Sequence, residues 1–203
     1  MSLSHLAANT IVVLDFETTG LSPKQGDRAI EIGAVKLVDG QVVDRFSELM
    51  DPGFRVSGFI ESYTGISNSM LAGAPACAEV MHRFADFIQG CNMLAHNASF
   101  DQKFLDAELA AISRDYQGSF VCSLLIGRRI YPNAPNHKLG TLVEYKGVQH
   151  DGVFHRALAD AEMTAKLWLA MLADCDTKMT FKQMHTLSKT PKAKVPDYLS
   201  ALT

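Results

Sequence analysis

The stretch Ile11-Val12-Val13-Leu14-Asp15-Phe16-Glu17-Thr18-Thr19-Gly20 constrains this chain more than any other. Four apolar residues run straight into two acids separated by an aromatic, then into a small polar turn. Ile11 to Leu14 reads as a buried strand, and Thr-Thr-Gly as the way it ends. Side chains two apart on a strand share a face, so Asp15 and Glu17 project together where a core strand reaches the surface. Two carboxylates held side by side repel each other and need a counter-charge. For paired oxygen ligands the simplest one is a hard divalent cation such as Mg²⁺. A metal site of that kind requires further carboxylates from elsewhere in the chain.

Beyond Gly20, Leu21 to Asp27 is a turn or loop rich in breakers. Ala29 to Val38 reads as a strand with two mixed faces, Asp39-Gly40 as a hairpin turn, and Gln41 to Met50 as the returning strand. Phe59 to Gly65 suits a short helix with Gly65 at its C-cap. Pro75 to Gln89 is amphipathic, with Val80, Phe84, Phe87 and Ile88 on one face and Gly90 as the stop. Asn92 to His96 is a short buried strand, and Ser99 is placed to N-cap a helix whose apolar side carries Phe104, Leu105 and Leu109. Phe120 to Leu125 is strand-like and passes into Leu125 to Ile130. An irregular loop from Tyr131 to His137 precedes a short helix, Lys138 to Tyr145. Arg156 to Leu172 is a long helix of strong formers. No internal repeat is evident. Strands and helices that alternate after a hairpin predict an α/β fold with a mixed central sheet flanked by helices.

The 203 residues suit one domain over 8–175 and a basic C-terminal extension over 176–203. From Lys178 onward five lysines face one acid, Asp197, and Thr190 to Pro196 reads as an extended tail, solvated or used for a nucleic-acid or partner contact. The formal charge of −3 announces no nucleic-acid binder, although metal-holding acids count as negative in that tally. Cys77, Cys91, Cys122 and Cys175 are widely spaced, which favours buried free thiols in a reducing compartment. With no signal-like N-terminus and no apolar run of membrane length, the expectation is a cytoplasmic protein without a membrane partner.

Two other stretches carry acids of the required kind. Leu94-Ala95-His96-Asn97-Ala98-Ser99-Phe100-Asp101 ends a buried strand and puts Asp101 in the first turn of a helix. The helix dipole alone would favour an acid there; a third carboxylate aimed across the sheet end is the alternative. His155-Arg156-Ala157-Leu158-Ala159-Asp160 sets an imidazole and a carboxylate five positions apart, either as surface residues or above one site. His96 and Asn97 either orient groups behind such a site or cap the strand end, and Phe100 reads as core.

Together, Asp15-x-Glu17, His-Asn-x-x-Phe-Asp ending at Asp101, and His155-x-x-x-x-Asp160 resemble the three motifs of the DEDD-type 3′→5′ exonucleases in their histidine-bearing form. That family includes the proofreading epsilon subunit of bacterial replicative polymerase and ribonuclease T. The resemblance covers roughly residues 10–173, and Tyr63-Thr64-Gly65-Ile66 and His137-Lys138-Leu139-Gly140 also look like parts of its polymerase-associated members.

The resemblance implies a ribonuclease H-like sheet and release of nucleoside 5′-monophosphates from a nucleic-acid 3′ end, with two divalent cations, Mg²⁺ or Mn²⁺. It implies that Asp15 bridges both ions, that Glu17 and Asp160 complete one site, that Asp101 serves the other, and that His155 is the general base. Thr18, Thr19, Gly20, Leu21 and Asn97 would hold the terminal nucleotide, with Leu21 as a wedge. Single-stranded DNA is the expected substrate and RNA the alternative. A polymerase partner would be met through the tail. The rival outside enzymology is a non-catalytic polymerase accessory subunit, and the bland one is a single structural cation.

Overall fold

The computed structural model describes residues 3–149, 156–175 and 178–202. Its centre is a five-stranded sheet in the order β3-β2-β1-β4-β5, formed by β1 (Ile11–Thr18), β2 (Ala29–Val38), β3 (Gln41–Leu49), β4 (Met93–Ala95) and β5 (Phe120–Cys122). β2 runs antiparallel to both β1 and β3, while β4 pairs parallel with β1 and β5 parallel with β4. The expected mixed sheet is therefore present, and Asp39 and Gly40, both at positive φ, turn the β2–β3 hairpin. β2 is buried on both faces for nearly its whole length, which is why no clean alternation appears in its sequence.

Alternation along β1 sorts its side chains into two cores. Val12, Leu14 and Phe16 pack with α3 (Cys77–Phe87) and α4 (Ser99–Ala111) on one face. Ile11 and Val13 pack on the other face with α5 (Ser123–Ile130), α6 (Leu139–Tyr145) and α7 (Ala157–Asp174). By the same period Asp15 and Glu17 fall on the α7 face, at the end where β1 leaves the core. Trp168 of α7 is fully buried and its indole N–H donates to the Ala8 carbonyl at 2.8 Å, which pins the helix to the start of β1. Burial of such a ring is worth several kcal/mol; its loss to Ala would cost about 3–5 kcal/mol.

Several boundaries differ from the sequence expectation. The helix expected over Phe59 to Gly65 is α1 (Gly58–Thr64), capped by Ser57 and ended by Gly65. A single-turn helix, α2 (Asn68–Leu71), follows and is too short to leave a periodic signal. The strand at Phe120 stops at Cys122, and Ser123 already begins α5. Ser99 does not cap α4: it is the first helical residue, Ala98 precedes it at the cap, and no side-chain cap bond forms. Of the four cysteines, all free thiols, Cys77 and Cys175 are buried while Cys91 and Cys122 are only half-buried.

The largest correction concerns the C-terminus. Thr190 to Pro196 is no extended tail: it holds a single 3₁₀ turn, Lys192–Lys194, that leads into a helix, and the whole of residues 178–202 is folded onto the core. They form α8 (Phe181–Lys189) and α9 (Val195–Ser200), and Phe181, Met184, Leu187 and Val195 are buried in the α7-side core. Thr180 caps α8 through a reciprocal box with Gln183, and its strand bridge to Ala7 ties the segment to the start of the chain. Among the described residues, no helix is long and apolar enough to cross a membrane.

Candidate active site

Three local features bring acids to the end of β1. The first is the strand period, which puts Asp15 and Glu17 on one face. The second is the register: Asp15 lies opposite Gly33 and Glu17 opposite Glu31 on β2. A Cβ on Gly33 would lie 2.0 Å from the Leu158 backbone nitrogen, so only glycine lets the first turn of α7 rest on the sheet there. That contact delivers Asp160, in the first turn of α7, onto the pair. Ligand atoms of Asp15, Glu17 and Asp160 all lie within 4.8 Å of one another.

The third feature is the mismatch between β1 and β4. Their pairing covers Val12 and Val13 only, so β1 runs on past its parallel neighbour. The Phe16 N–H donates instead to Asp101 Oδ1 at 3.1 Å. Asp101, 2 % exposed, thus reaches the same strand end from α4, on the opposite face from Asp160.

Arginine forks on two buried glutamates fix both helices. Glu31, 2 % exposed, accepts Arg156 Nη2 at 2.7 Å and the Ala157 backbone N–H at 3.0 Å. It therefore serves α7 as a cap from another element, in place of a side-chain cap at Arg156. Glu108 of α4 accepts Arg28 Nε and Nη2, both at 2.8 Å, and the Ala29 N–H at 3.2 Å. Neither glutamate was singled out by the sequence reading. Each lies 80 or more positions from its arginine, and no local pattern connects them.

The electrostatics follow from this crowding. Burial first, then the charges of Asp101, Asp160, Glu17 and Glu31, hold the Asp15 carboxyl well above its ordinary range. Burial, with Asp160 and Glu31 adding to it and Arg156 opposing, pushes Glu17 up to about 7. Burial pushes Asp101 up to about 8 against the hydrogen bonds it accepts. These acids resist ionisation as a group, and the neighbouring guanidinium of Arg156 is already engaged by Glu31. An all-oxygen donor set with excess negative charge fits hard divalent cations.

The cluster floors a cleft of about 670 Å³. Thr18, Thr19, Gly20, Leu21 and Asn97 all line it. Thr18 Oγ1 donates to the Gly20 carbonyl at 2.6 Å, and the Asp27 carboxylate accepts the Ser22 N–H at 2.8 Å. A side chain at Gly20 would meet that carboxylate and require Asp27 to move. Leu21 is 76 % exposed. Phe100, expected as core, packs on Phe104 with ring centroids 5.1 Å apart and also lines the cleft.

His96 lines the cleft, and both of its ring nitrogens are engaged. Its Nε2 faces the His137 carbonyl at 2.9 Å, which can only accept, so Nδ1 takes the Ser123 hydroxyl proton at 2.9 Å. Burial lowers its pKa to about 4, and the neutral ring ties β4 to the start of α5 and to the loop before α6. His155 lies outside the described residues.

A family model described as "Exonuclease" matches residues 12–168. The chain belongs to that family. Its motifs, with histidine five positions before Asp160, are those of the histidine-bearing DEDD branch, and the family makes it an exonuclease, a hydrolase of nucleic acid. Among relatives, the protein named DNA polymerase III PolC-type from Caldanaerobacter subterraneus is 38 % identical over 164 residues, and the one from Lacticaseibacillus paracasei 40 % over 170. These matches take in 79 % and 82 % of this chain but only 11 % of either relative, so the chain spans about a tenth of their length. Among solved structures, Exonuclease X in complex with 5′ overhanging duplex DNA superposes with a TM-score of 0.70 at 26 % identity, over 88 % of this chain and 99 % of that one. The nuclease domain of 3′hExo, described as a DEDDh family member bound to rAMP, shares the fold at a TM-score of 0.65 and 23 % identity, over 81 % of this chain and 92 % of that one.

Proposed function

We propose that this chain removes nucleotides one at a time from the 3′ end of DNA, releasing nucleoside 5′-monophosphates, with two divalent cations held by Asp15, Glu17, Asp101 and Asp160. The convergence of Asp15, Glu17 and Asp160 within 4.8 Å, with Asp101 bound to the intervening backbone, carries this reading. Bound Mg²⁺ or Mn²⁺ would supply an acidified water and relief for charge on the leaving oxygen. Asp15, central to the cluster, would hold the ions together with Glu17, Asp160 and Asp101. His155, adjacent in sequence to Arg156 of the Glu31 clamp, would take the proton from the attacking water. A water oxygen bonds to phosphorus, the P–O3′ bond breaks, and the 3′ oxygen of the preceding nucleotide leaves. Thr18 to Leu21 and Asn97 would hold the terminal nucleoside. DNA is preferred over RNA because the relatives matched at 38–40 % identity are named as DNA polymerases. Those names also support a polymerase partner, met through the lysine-bearing outer face of residues 178–202.

The test is a time course on 5′-labelled single-stranded DNA and RNA of matched sequence. Stepwise 3′ shortening of the DNA with Mg²⁺ or Mn²⁺, abolished by chelator and absent in Asp15→Asn, is the expected result. Shortening of RNA alone would move the substrate to the alternative. A protein that shortens neither strand under these conditions would be the non-catalytic relative.

A further inference from the structure

The turn after β1 has an anchor that comes from another element. Leu21 lines the cleft and is 76 % exposed, so little of its side chain is packed against the protein. Two of the bonds beside it stay within the β1–β2 connection: Thr18 Oγ1 to the Gly20 carbonyl, and the Ser22 N–H to Asp27. The third comes from α4, where Lys103 Nζ donates to the Leu21 carbonyl at 2.5 Å from 82 positions away. The same ammonium lies 4.6 Å from the Phe100 ring centroid and 5.7 Å from that of Phe104. An exposed lysine ordinarily turns its head to water or to an acid. Here its partners are a carbonyl and an aromatic face. α4 also carries Asp101, which holds the Phe16 N–H, and Glu108, which holds Arg28 and the Ala29 N–H where the same connection enters β2. Between those two ties, Lys103 is the one that reaches Leu21.

We infer that Lys103 is a positioning residue for the terminal nucleoside, acting through Leu21, whose backbone it fixes against the helix that carries Asp101. The inference rests on the proposed exonuclease reading, in which Thr18 to Leu21 hold that nucleoside. A leucine that projects into water gains full value from a contact only if its backbone is already held, because ordering a loose turn on binding subtracts from the contact made. Lysine suits the task, with three donors on a flexible stem. Methionine keeps a stem of similar length and brings no donor, whereas arginine keeps both charge and donors. A contact between Leu21 and the terminal base is made in the bound substrate and in the transition state alike, so its loss falls on KM rather than on kcat.

The experiment is a double-mutant cycle on single-stranded DNA with Mn²⁺, using Leu21→Ala, Lys103→Met and the two together, with Lys103→Arg as the conservative control. Leu21→Ala should raise KM roughly tenfold through the lost apolar contact, with kcat little changed. Lys103→Met should raise KM about threefold, the size of one modest hydrogen bond, and Lys103→Arg should restore it. The double variant should be no worse than Leu21→Ala alone, since a tether matters only while there is a side chain for it to place. Lys103→Met should keep the wild-type dependence of KM on salt, whereas a lost phosphate contact would make it shallower. Multiplied effects in the double variant, a shallower salt dependence, or a wild-type KM in either Leu21→Ala or Lys103→Met overturns the inference and leaves the exonuclease reading intact. Independently of turnover, hydrogen exchange over residues 18–24 should run about threefold faster in Lys103→Met and at the wild-type rate in Lys103→Arg. Unchanged exchange in Lys103→Met would also overturn it. A wild type that degrades neither DNA nor RNA would sink the exonuclease reading and the positioning role with it, and hydrogen exchange would show separately whether Lys103 tethers the turn.

Discussion

α4 and α7 approach the end of β1 from opposite faces of the sheet, and each is fixed by a buried glutamate that takes an arginine fork and one backbone N–H. The outcome for their acids differs. Asp101 on α4 is almost fully buried and already holds the Phe16 N–H. Asp160 on α7 is partly exposed, and its place depends on the Glu31 clamp and on the close approach that Gly33 permits. One half of the proposed cation site is thus built into the backbone of β1. The other half is carried by a helix start that two residues of β2 hold down.

The sharpest way to break this comparison is to remove the charges themselves. Asp15→Asn or Asp160→Asn should cut nucleotide release by roughly 10³-fold or more, since charge stabilisation worth several kcal/mol is lost at about 1.4 kcal/mol per decade. Circular dichroism should show the fold intact. Next in size is Gly33→Ala, which must push α7 off the sheet. It should cost about 1–3 kcal/mol in denaturant unfolding, with a loss of activity that extra Mn²⁺ partly restores.

The clamps can then be set against each other. Glu31→Ala and Glu108→Ala should each cost about 1–3 kcal/mol, because charged hydrogen bonds are lost from a buried acceptor while both arginines still reach solvent. Only the Glu31 variant should raise markedly the Mn²⁺ concentration needed for half-maximal activity, because Asp101 keeps its bond to Phe16 when Glu108 is gone. Equal shifts in both would dissolve the distinction between the two halves.

A smaller effect comes from pH. Glu17 and Asp101, with folded pKa values of about 7 and about 8, keep protons in the fold that the unfolded chain has already released. Their contribution is fully present below about pH 4, the ordinary carboxylate range, and is lost as pH rises through 7 and 8. The melting temperature of the metal-free protein should therefore fall between pH 5 and pH 9, and saturating Mn²⁺ should flatten that fall. The smallest effect is Ser99→Ala, expected within about 0.5 kcal/mol of wild type, since that hydroxyl caps nothing.

Much of the site was legible because it obeys local rules. The period of a strand put Asp15 with Glu17, and the strand end followed by a helix start left Asp101 open until the motifs singled it out. The motifs supplied Asp160. What sequence could not show was long-range: Glu31 and Glu108 look like ordinary strand and helix acids until the chain brings Arg156 and Arg28 to them. The C-terminal segment failed for another reason. Its lysines suggest a solvated tail, whereas Phe181, Met184 and Leu187, spaced by three on one helical face, form the stripe of a buried helix. His96 was undecidable alone because its partners, Ser123 and the His137 carbonyl, lie 27 and 41 residues away.

Titration of the metal-free protein with Mn²⁺, followed by calorimetry in wild type, Asp15→Asn and Asp160→Asn, addresses the shared cation site most directly. Saturable binding in wild type, lost or weakened at least tenfold in both variants, is the result that the proposed four-carboxylate site requires. Identical isotherms in all three proteins would show that these carboxylates hold no cation in common.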